Sequence, residues 1–203
     1  MEKFTTLTSL AMPLDRTNVD TDQIIPKQFL KRIERSGYGD FLFFEWRATA
    51  DGTPIQDFVL NNPRYQGAQI LIAGKNFGCG SSREHAAWAL SDFGFRAVIA
   101  PTFADIFFSN AGKNGIVLCP LPEDKVNLLL ERASTLPDYK ITVSLADQTV
   151  TDSLGFKEKF AIDPFRKYCL LEGLDDIGLT LRHAAQLDSY EAAHNQATWL
   201  QPK

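Results

Sequence analysis

The sequence predicts an α/β fold: one domain with a parallel βαβ core and β-rich additions. Three observations carry that prediction. Short apolar runs rich in β-branched residues recur between residues 68 and 120, bounded by glycine or proline. Helix-period stretches follow each of them, the pattern of βαβ units on a parallel sheet. A strand–turn–strand pattern then replaces the alternation. In chain order, residues 4–10 read as a first strand, followed by a polar loop, DRTNVDTDQIIP, and an aromatic stretch, GYGDFLFFEW. AQILIAG (68–74) is a buried strand, and SSREHAAWALSDFG a helix closed by Gly94 as its C-cap. RAVIA (96–100) is the next strand, and TFADIFFSNAGKNG a helix with Thr102 as its N-cap. GIVLCP (115–120) is the third strand of this core, followed by PEDKVNLLLERAS, a helix opened by Pro122. YKITVSL, a polar ADQ turn and TVTD make a β-hairpin. Residues 179–194 form an amphipathic helix with Leu181, Ala184, Ala185 and Leu187 on one face, within a helical tail spanning about 174–203.

Hydrophobic residues make up 44% of the 203 and charged residues 23%, enough apolar material for a substantial core. A net charge of -4 argues against the basic face that general nucleic-acid binding requires. No apolar run approaches the roughly 20 residues of a membrane span. MEKFTTLTSLAMPLD lacks the apolar segment of a signal peptide, so the cytoplasm is the expected location. Cys79, Cys119 and Cys169 form no C-x-x-C pair. That spacing disfavours a disulfide framework, a zinc knuckle or a self-contained iron–sulfur cluster. Cys119 and Cys169 read as small buried hydrophobes, and no metal ligand is assigned to this chain.

The polar chemistry is concentrated in NFGCGSSREHAAWAL, residues 76–90. The stretch follows a predicted parallel strand at its carboxyl end, where open α/β sheets bind ligands. Gly78 and Gly80 allow positive φ and let several N–H groups turn toward one point. A helix start adds partial positive charge, and Arg83 a fork suited to carboxylate or phosphate. These features describe an anion cradle. The P-loop pattern is absent, and Arg83 stands where a dinucleotide fingerprint wants its third glycine. A Cys79–His85 nucleophile–base pair is disfavoured, because such pairs normally come from separate elements; His85 is expected to pack or cap near the helix start. Ser81 has two readings. With Glu84 it matches the S-x-x-E capping box, which makes it an N-cap. As a base it needs a stabilised alkoxide. The helix dipole contributes about 0.3–1 kcal/mol, or about 2 when partly buried. At about 1.4 kcal/mol per pKa unit, that is roughly one unit. Converging N–H donors, Arg83 and a dry pocket would all be needed as well.

GCGSSREHA, together with NVDTDQIIP (18–26), resembles the swivelling domain of the aconitase superfamily. The similarity runs through nearly the whole chain, FLKRIERSGYGDFLFFEWR included. In length and motif order it is greatest with the branch in which this domain is a separate small subunit acting on isopropylmalate. One departure is Ala87, where many relatives carry proline.

The resemblance implies a single swivelling β/β/α domain over residues 1–203 and a hydro-lyase activity. Ser81 becomes the catalytic base, Ser82 and Arg83 hold a substrate carboxylate and help stabilise the alkoxide, and Asp22 orders neighbouring groups. Taken bare, Asp22 reads equally as an Asx-turn residue. Substrate choice falls on the loop Phe29-Leu30-Lys31-Arg32, with Leu30 toward the isopropyl group and either Lys31 or Arg32 reaching a carboxylate. Without the resemblance, KQFLKRIER is an amphipathic helical stretch with a solvated basic face. The implied reaction is a dehydration followed by rehydration, interconverting 2-isopropylmalate and 3-isopropylmalate through isopropylmaleate. It requires a Lewis-acidic iron of a [4Fe-4S] cluster. This chain lacks the ligands, so the cluster is expected on a separate large subunit, with the site between the two and Cys79 a packing residue. The alternatives are another hydro-lyase of the superfamily (homoaconitase or methylmalate/citraconate type) and a non-catalytic module that binds a carboxylated or phosphorylated metabolite.

Overall fold

Residues 1–31, 34–81 and 83–195 are described in the structure, a computed structural model; Arg32, Ser82 and the tail beyond 195 lie outside them. The N-terminal strand β1 (Thr6–Leu14) starts later than predicted and runs on to Leu14. It holds the centre of a seven-stranded sheet of order β4-β3-β2-β1-β5-β6-β7. The predicted apolar runs become β2 (Ile70–Ala73), β3 (Ala97–Ala100) and β4 (Val117–Pro120). The hairpin becomes β5 (Lys140–Ser144) and β6 (Thr149–Asp152), and the edge strand β7 (Lys157–Lys159) follows. The carboxyl-terminal half of β1 pairs parallel with β2, Ala11 opposite Ile70. Its amino-terminal half pairs antiparallel with β5, Thr6 opposite Ser144. One strand therefore joins the parallel and antiparallel halves.

Strands buried on both faces read as unbroken apolar runs, and period-two alternation sorts their side chains between two cores. Leu71, Ala73, Val98, Ala100 and Leu118 enter one cluster. Ile70, Ile72, Ala97, Ile99, Val117 and Cys119 enter the other. The first cluster is covered by α3 (Glu84–Phe93) and α4 (Asp105–Lys113), which contribute Ala86, Leu90, Phe107 and Ala111. It also takes the residue 15–69 connection, whose elements include the single turns α1 (Thr21–Ile24) and α2 (Phe44–Arg47) and the buried Tyr38 and Phe43. The strands β1 to β4 advance in one direction, so right-handed crossovers put all these connections on one face. The second cluster is covered by α5 (Glu123–Thr135), through Val126, Leu129 and Ala133, and by Leu170 of α6 (Pro164–Glu172).

Several expectations are corrected. Thr102 does not cap α4: its N-cap is Ala104, without a side-chain bond, because the Thr102 hydroxyl is engaged elsewhere. Pro122 does open α5, standing at its N-cap. Of the stretch KQFLKRIER, Lys27–Lys31 is a short 3₁₀ segment, and Arg32 and Ile33 lie outside the described residues. The tail is not one helix over 179–194 but two, α7 (Asp176–Leu181) and α8 (Ala184–Asn195). Leu181 and Leu187 are 63% and 38% exposed, so their face is not buried within this chain. Gly94 does close α3, in the left-handed conformation.

Candidate active site

The carboxyl ends of three adjacent parallel strands, β1, β2 and β3, release their chains side by side, and the turn after β2 is stitched to the loop on each flank. Toward the loop after β1, the Gly78 and Cys79 N–H groups donate to the Val19 carbonyl at 2.8 and 3.1 Å. Thr21 N–H donates back to the Cys79 carbonyl at 2.8 Å. Toward the loop after β3, Phe77 N–H donates to the Thr102 carbonyl and Ala104 N–H to the Phe77 carbonyl, both at 3.1 Å. Thr102 Oγ1 accepts from Asn76 N–H at 2.8 Å, which is what removes it from capping. Asn18 and Asn76 both take positive φ and bond to each other through their side chains at 2.9 Å.

Two glycines are demanded by this weave. Gly78 has φ 77°, and a Cβ there would strike the Phe107 ring; Gly80 has φ 87°, and a Cβ there would strike the Asp20 carboxylate. Beyond Gly80 the chain does not enter the helix at Ser81. Arg83 is the N-cap of α3, with extended backbone (φ -140°, ψ 115°) and no side-chain cap, and the helix begins at Glu84. The S-x-x-E capping box is therefore not formed, and Ser81 is exposed on the turn. This also removes Ser81 from the strongest part of the helix dipole, which fades within the first turn. The Asx role belongs to Asp20, which caps α1 in a capping box with Gln23 and accepts the Asp22 N–H at 2.6 Å. The Asp22 carboxylate instead pairs with Arg83 Nη1. The Arg83 side chain is 16% exposed and Asp22 50%, so the pair lies at the edge of solvent.

A cavity of about 230 Å³ opens here, lined by Thr21, Gly78, Gly80, Ser81, Arg83 and the start of α4 from Ala104 to Phe107. Ser81 and Arg83 thus both line it, and Asp22 reaches it only through its pair with Arg83. That volume is below the ~300–1,000 Å³ of complete small-molecule sites. A larger cavity, about 660 Å³, lies elsewhere, against Arg47, Tyr65, Gln69 and Gly94 at the other end of β2.

The remaining candidates separate. Leu30 is half-buried and packs on the first core cluster, and Lys31 is exposed; neither lines the cavity around Ser81. Arg32 and Ser82 are among the residues not described. The loop beyond them is tied to the helix start: Arg35 reaches Glu84 at 3.8 Å and lies over the Trp88 ring. His85 packs between Tyr38 and Trp88, with ring centroids at 5.2 and 4.6 Å. Burial lowers its pKa, with Arg83 adding to the effect against Glu84, so the ring is neutral near pH 7. Burial and the Asp20 charge raise the Cys79 thiol above its ordinary range, the opposite of what a nucleophile needs. Burial alone pushes Cys119 up as well. Sequence reasoning passed over Asp20 and Thr21. The D-x-x-Q spacing of Asp20 and Gln23 was the available signal for the first; Thr21 has none, since its partner lies 60 residues away.

Comparison with known proteins adds to this geometry. The family profile for the aconitase C-terminal domain matches residues 1–124, and LeuD_N matches residues 127–164. The profile for the C-terminal domain of the 3-isopropylmalate dehydratase small subunit matches residues 176–203. The chain is 64% identical to the 3-isopropylmalate dehydratase small subunit of Acidobacterium capsulatum, over 100% of this chain and 96% of that one. It is 57% identical to that of Brevibacillus brevis, over 95% and 99%. A crystal structure of 3-isopropylmalate dehydratase from Methanocaldococcus jannaschii superposes with a TM-score of 0.66 at 23% identity, covering 91% of this chain and 99% of that one, a likeness of fold.

Proposed function

This chain belongs to the family of 3-isopropylmalate dehydratase small subunits, built on the aconitase C-terminal domain, and from that premise we propose that it supplies one half of a hydro-lyase active site. It is the small subunit of an enzyme that interconverts 2-isopropylmalate and 3-isopropylmalate in leucine biosynthesis. The whole chain works as one swivelling unit in the cytoplasm, against a large subunit that carries the [4Fe-4S] cluster. That cluster supplies Lewis acidity toward the departing hydroxyl. Among the described residues, no group of three His, Cys, Asp or Glu side chains comes together.

The observation that carries the proposal is the exposed Ser81 beside the Arg83–Asp22 pair, on a turn fixed from both flanks and facing an undersized cavity. Ser81, as its alkoxide, takes the proton from the substrate carbon as the hydroxyl leaves the neighbouring carbon. In rehydration the proton and hydroxyl return with their positions exchanged. Arg83 receives a substrate carboxylate on the part of its fork that Asp22 does not use, a role in which the family resemblance also enlists Ser82. Asp22 holds the guanidinium in orientation. Leu30 is assigned to the isopropyl group and Lys31 or Arg32 to the second carboxylate.

Co-expression with a large subunit permits the test, with isopropylmaleate hydration followed by loss of ultraviolet absorbance. Ser81→Ala is expected to lower turnover about 10²–10⁴-fold, the usual contribution of a general base, while the two subunits still assemble. Turnover within a few-fold of the parent enzyme would remove Ser81 from the chemistry.

A further inference from the structure

We propose that Thr21 is a positioning residue for the base, its hydroxyl fixing the Ser81 peptide and so the direction in which Ser81 Oγ points. This rests on the reading of Ser81 as base. Thr21 is 2% exposed and opens the one-turn helix α1. Both of its donors are turned on the neighbouring loop: the N–H to the Cys79 carbonyl at 2.8 Å and Oγ1 to the Ser81 carbonyl at 2.7 Å. The residues on either side address the same turn. Asp20 lies against Gly80, and Asp22 pairs with Arg83. Three consecutive side chains thus engage positions 80, 81 and 83.

The Ser81 peptide needs such a clamp. Gly78 and Gly80, just before it, are the most conformationally permissive residues available, and Arg83, just after it, brings no capping side chain. Among the described residues, the Thr21 hydroxyl makes the hydrogen bond that reaches the Ser81 carbonyl. A base acts only from an aligned position close to the proton it removes, and a misplacement of about 1 Å costs about 10²-fold. Thr21 acts through Ser81, so its loss should appear in the chemical step rather than in substrate affinity.

Three variants in the two-subunit enzyme test this, with rates taken per assembled complex. Thr21→Val keeps the shape and removes the hydroxyl. Its kcat should fall about 10- to 100-fold, with KM changed less than about threefold, as for an interaction made only in the transition state. Thr21→Ser keeps the hydroxyl and should stay within about threefold of the parent kcat. Thr21→Ala, which removes the hydroxyl without adding bulk, should match Thr21→Val and replaces it if that variant fails to assemble. Thr21→Val or Thr21→Ala at parental kcat overturns the proposal, as does Thr21→Ser falling as far as they do, or a change confined to KM. An active Ser81→Ala enzyme would instead sink the underlying assignment of the base, whatever the Thr21 variants do.

Discussion

Two aspartate–arginine pairs in this molecule have the same chemistry and opposite surroundings. Asp152 is 0% exposed at its side chain and has a full set of partners. Its Oδ2 accepts from Arg132 Nη1 and from the Tyr139 hydroxyl, both at 2.5 Å. Its Oδ1 accepts from the N–H groups of Leu154 and Phe156 at 2.8 and 2.9 Å. Burial pushes its pKa up, but these hydrogen bonds outweigh burial and the net shift is downward. Asp22, by contrast, is half exposed and engages Arg83 beside an open cavity. The Asp152 carboxylate has both oxygens doubly occupied by groups of this chain and stitches α5 to the antiparallel half of the sheet. The Asp22 carboxylate keeps half of its surface open to solvent beside that cavity. An ion pair is informative about function when it is unfinished.

That contrast can be broken from either side. The largest effect on stability is expected at the closed cluster: Asp152→Ala leaves Arg132, Tyr139 and two backbone N–H groups without their acceptor and should lower the unfolding free energy by about 1.5–3 kcal/mol. Urea unfolding measures this, and turnover per assembled complex should remain within about twofold of the parent value. Next comes the open pair, where the same kind of deletion should act the other way. Arg83→Ala should cost about 10²–10³-fold in turnover, as for loss of a charge-stabilising donor, with unfolding changed by only about 1 kcal/mol or less, as for a solvent-edge pair. A large stability loss at Arg83 with turnover retained would erase the distinction. Smaller still, one of Lys31→Ala and Arg32→Ala should raise KM about tenfold, the range of one charge-assisted hydrogen bond. Indifference at both would discard the loop assignment.

The smallest effect is in acid. The Asp152 pKa is lowered in the folded chain, so its stabilisation is complete above the unfolded carboxyl pKa of about 3.9 and is lost as pH falls through the folded value. Urea midpoints from neutral to strongly acidic pH should therefore decline more steeply for the parent chain than for Asp152→Asn. Parallel decline would show that the carboxylate is not the group titrating.

The parallel core was legible because strands covered on both faces must be continuously apolar, as Ile70–Ala73 and Ala97–Ala100 are. The placement of β1 was not, since its pairing with β2 and with β5 joins segments distant in sequence. Strand β7, Lys-Glu-Lys, carries no apolar alternation and is found at the sheet edge, where charge discourages further pairing. The positive-φ turn was legible in Gly78 and Gly80, but the N–H groups of Gly78 and Cys79 are spent on the Val19 carbonyl, and the local rule for the helix start misled. Ser81 and Glu84 fit a capping box, yet tertiary bonds to Val19, Thr21 and Thr102 hold the turn extended and defer the helix to Glu84. Thr102 was misread for the same reason, its hydroxyl being taken by Asn76. In the tail, helical spacing of Leu181 and Leu187 suggested one continuous stripe, whereas the chain divides into α7 and α8 around Arg182 and His183.

The central claim is that the turn around Ser81 is half of an active site. Its most direct test is isopropylmaleate hydration by the purified chain, alone and after reconstitution with a cluster-bearing large subunit. No turnover alone and turnover on addition of the partner is the expected result. Full turnover by the isolated chain without iron would contradict it.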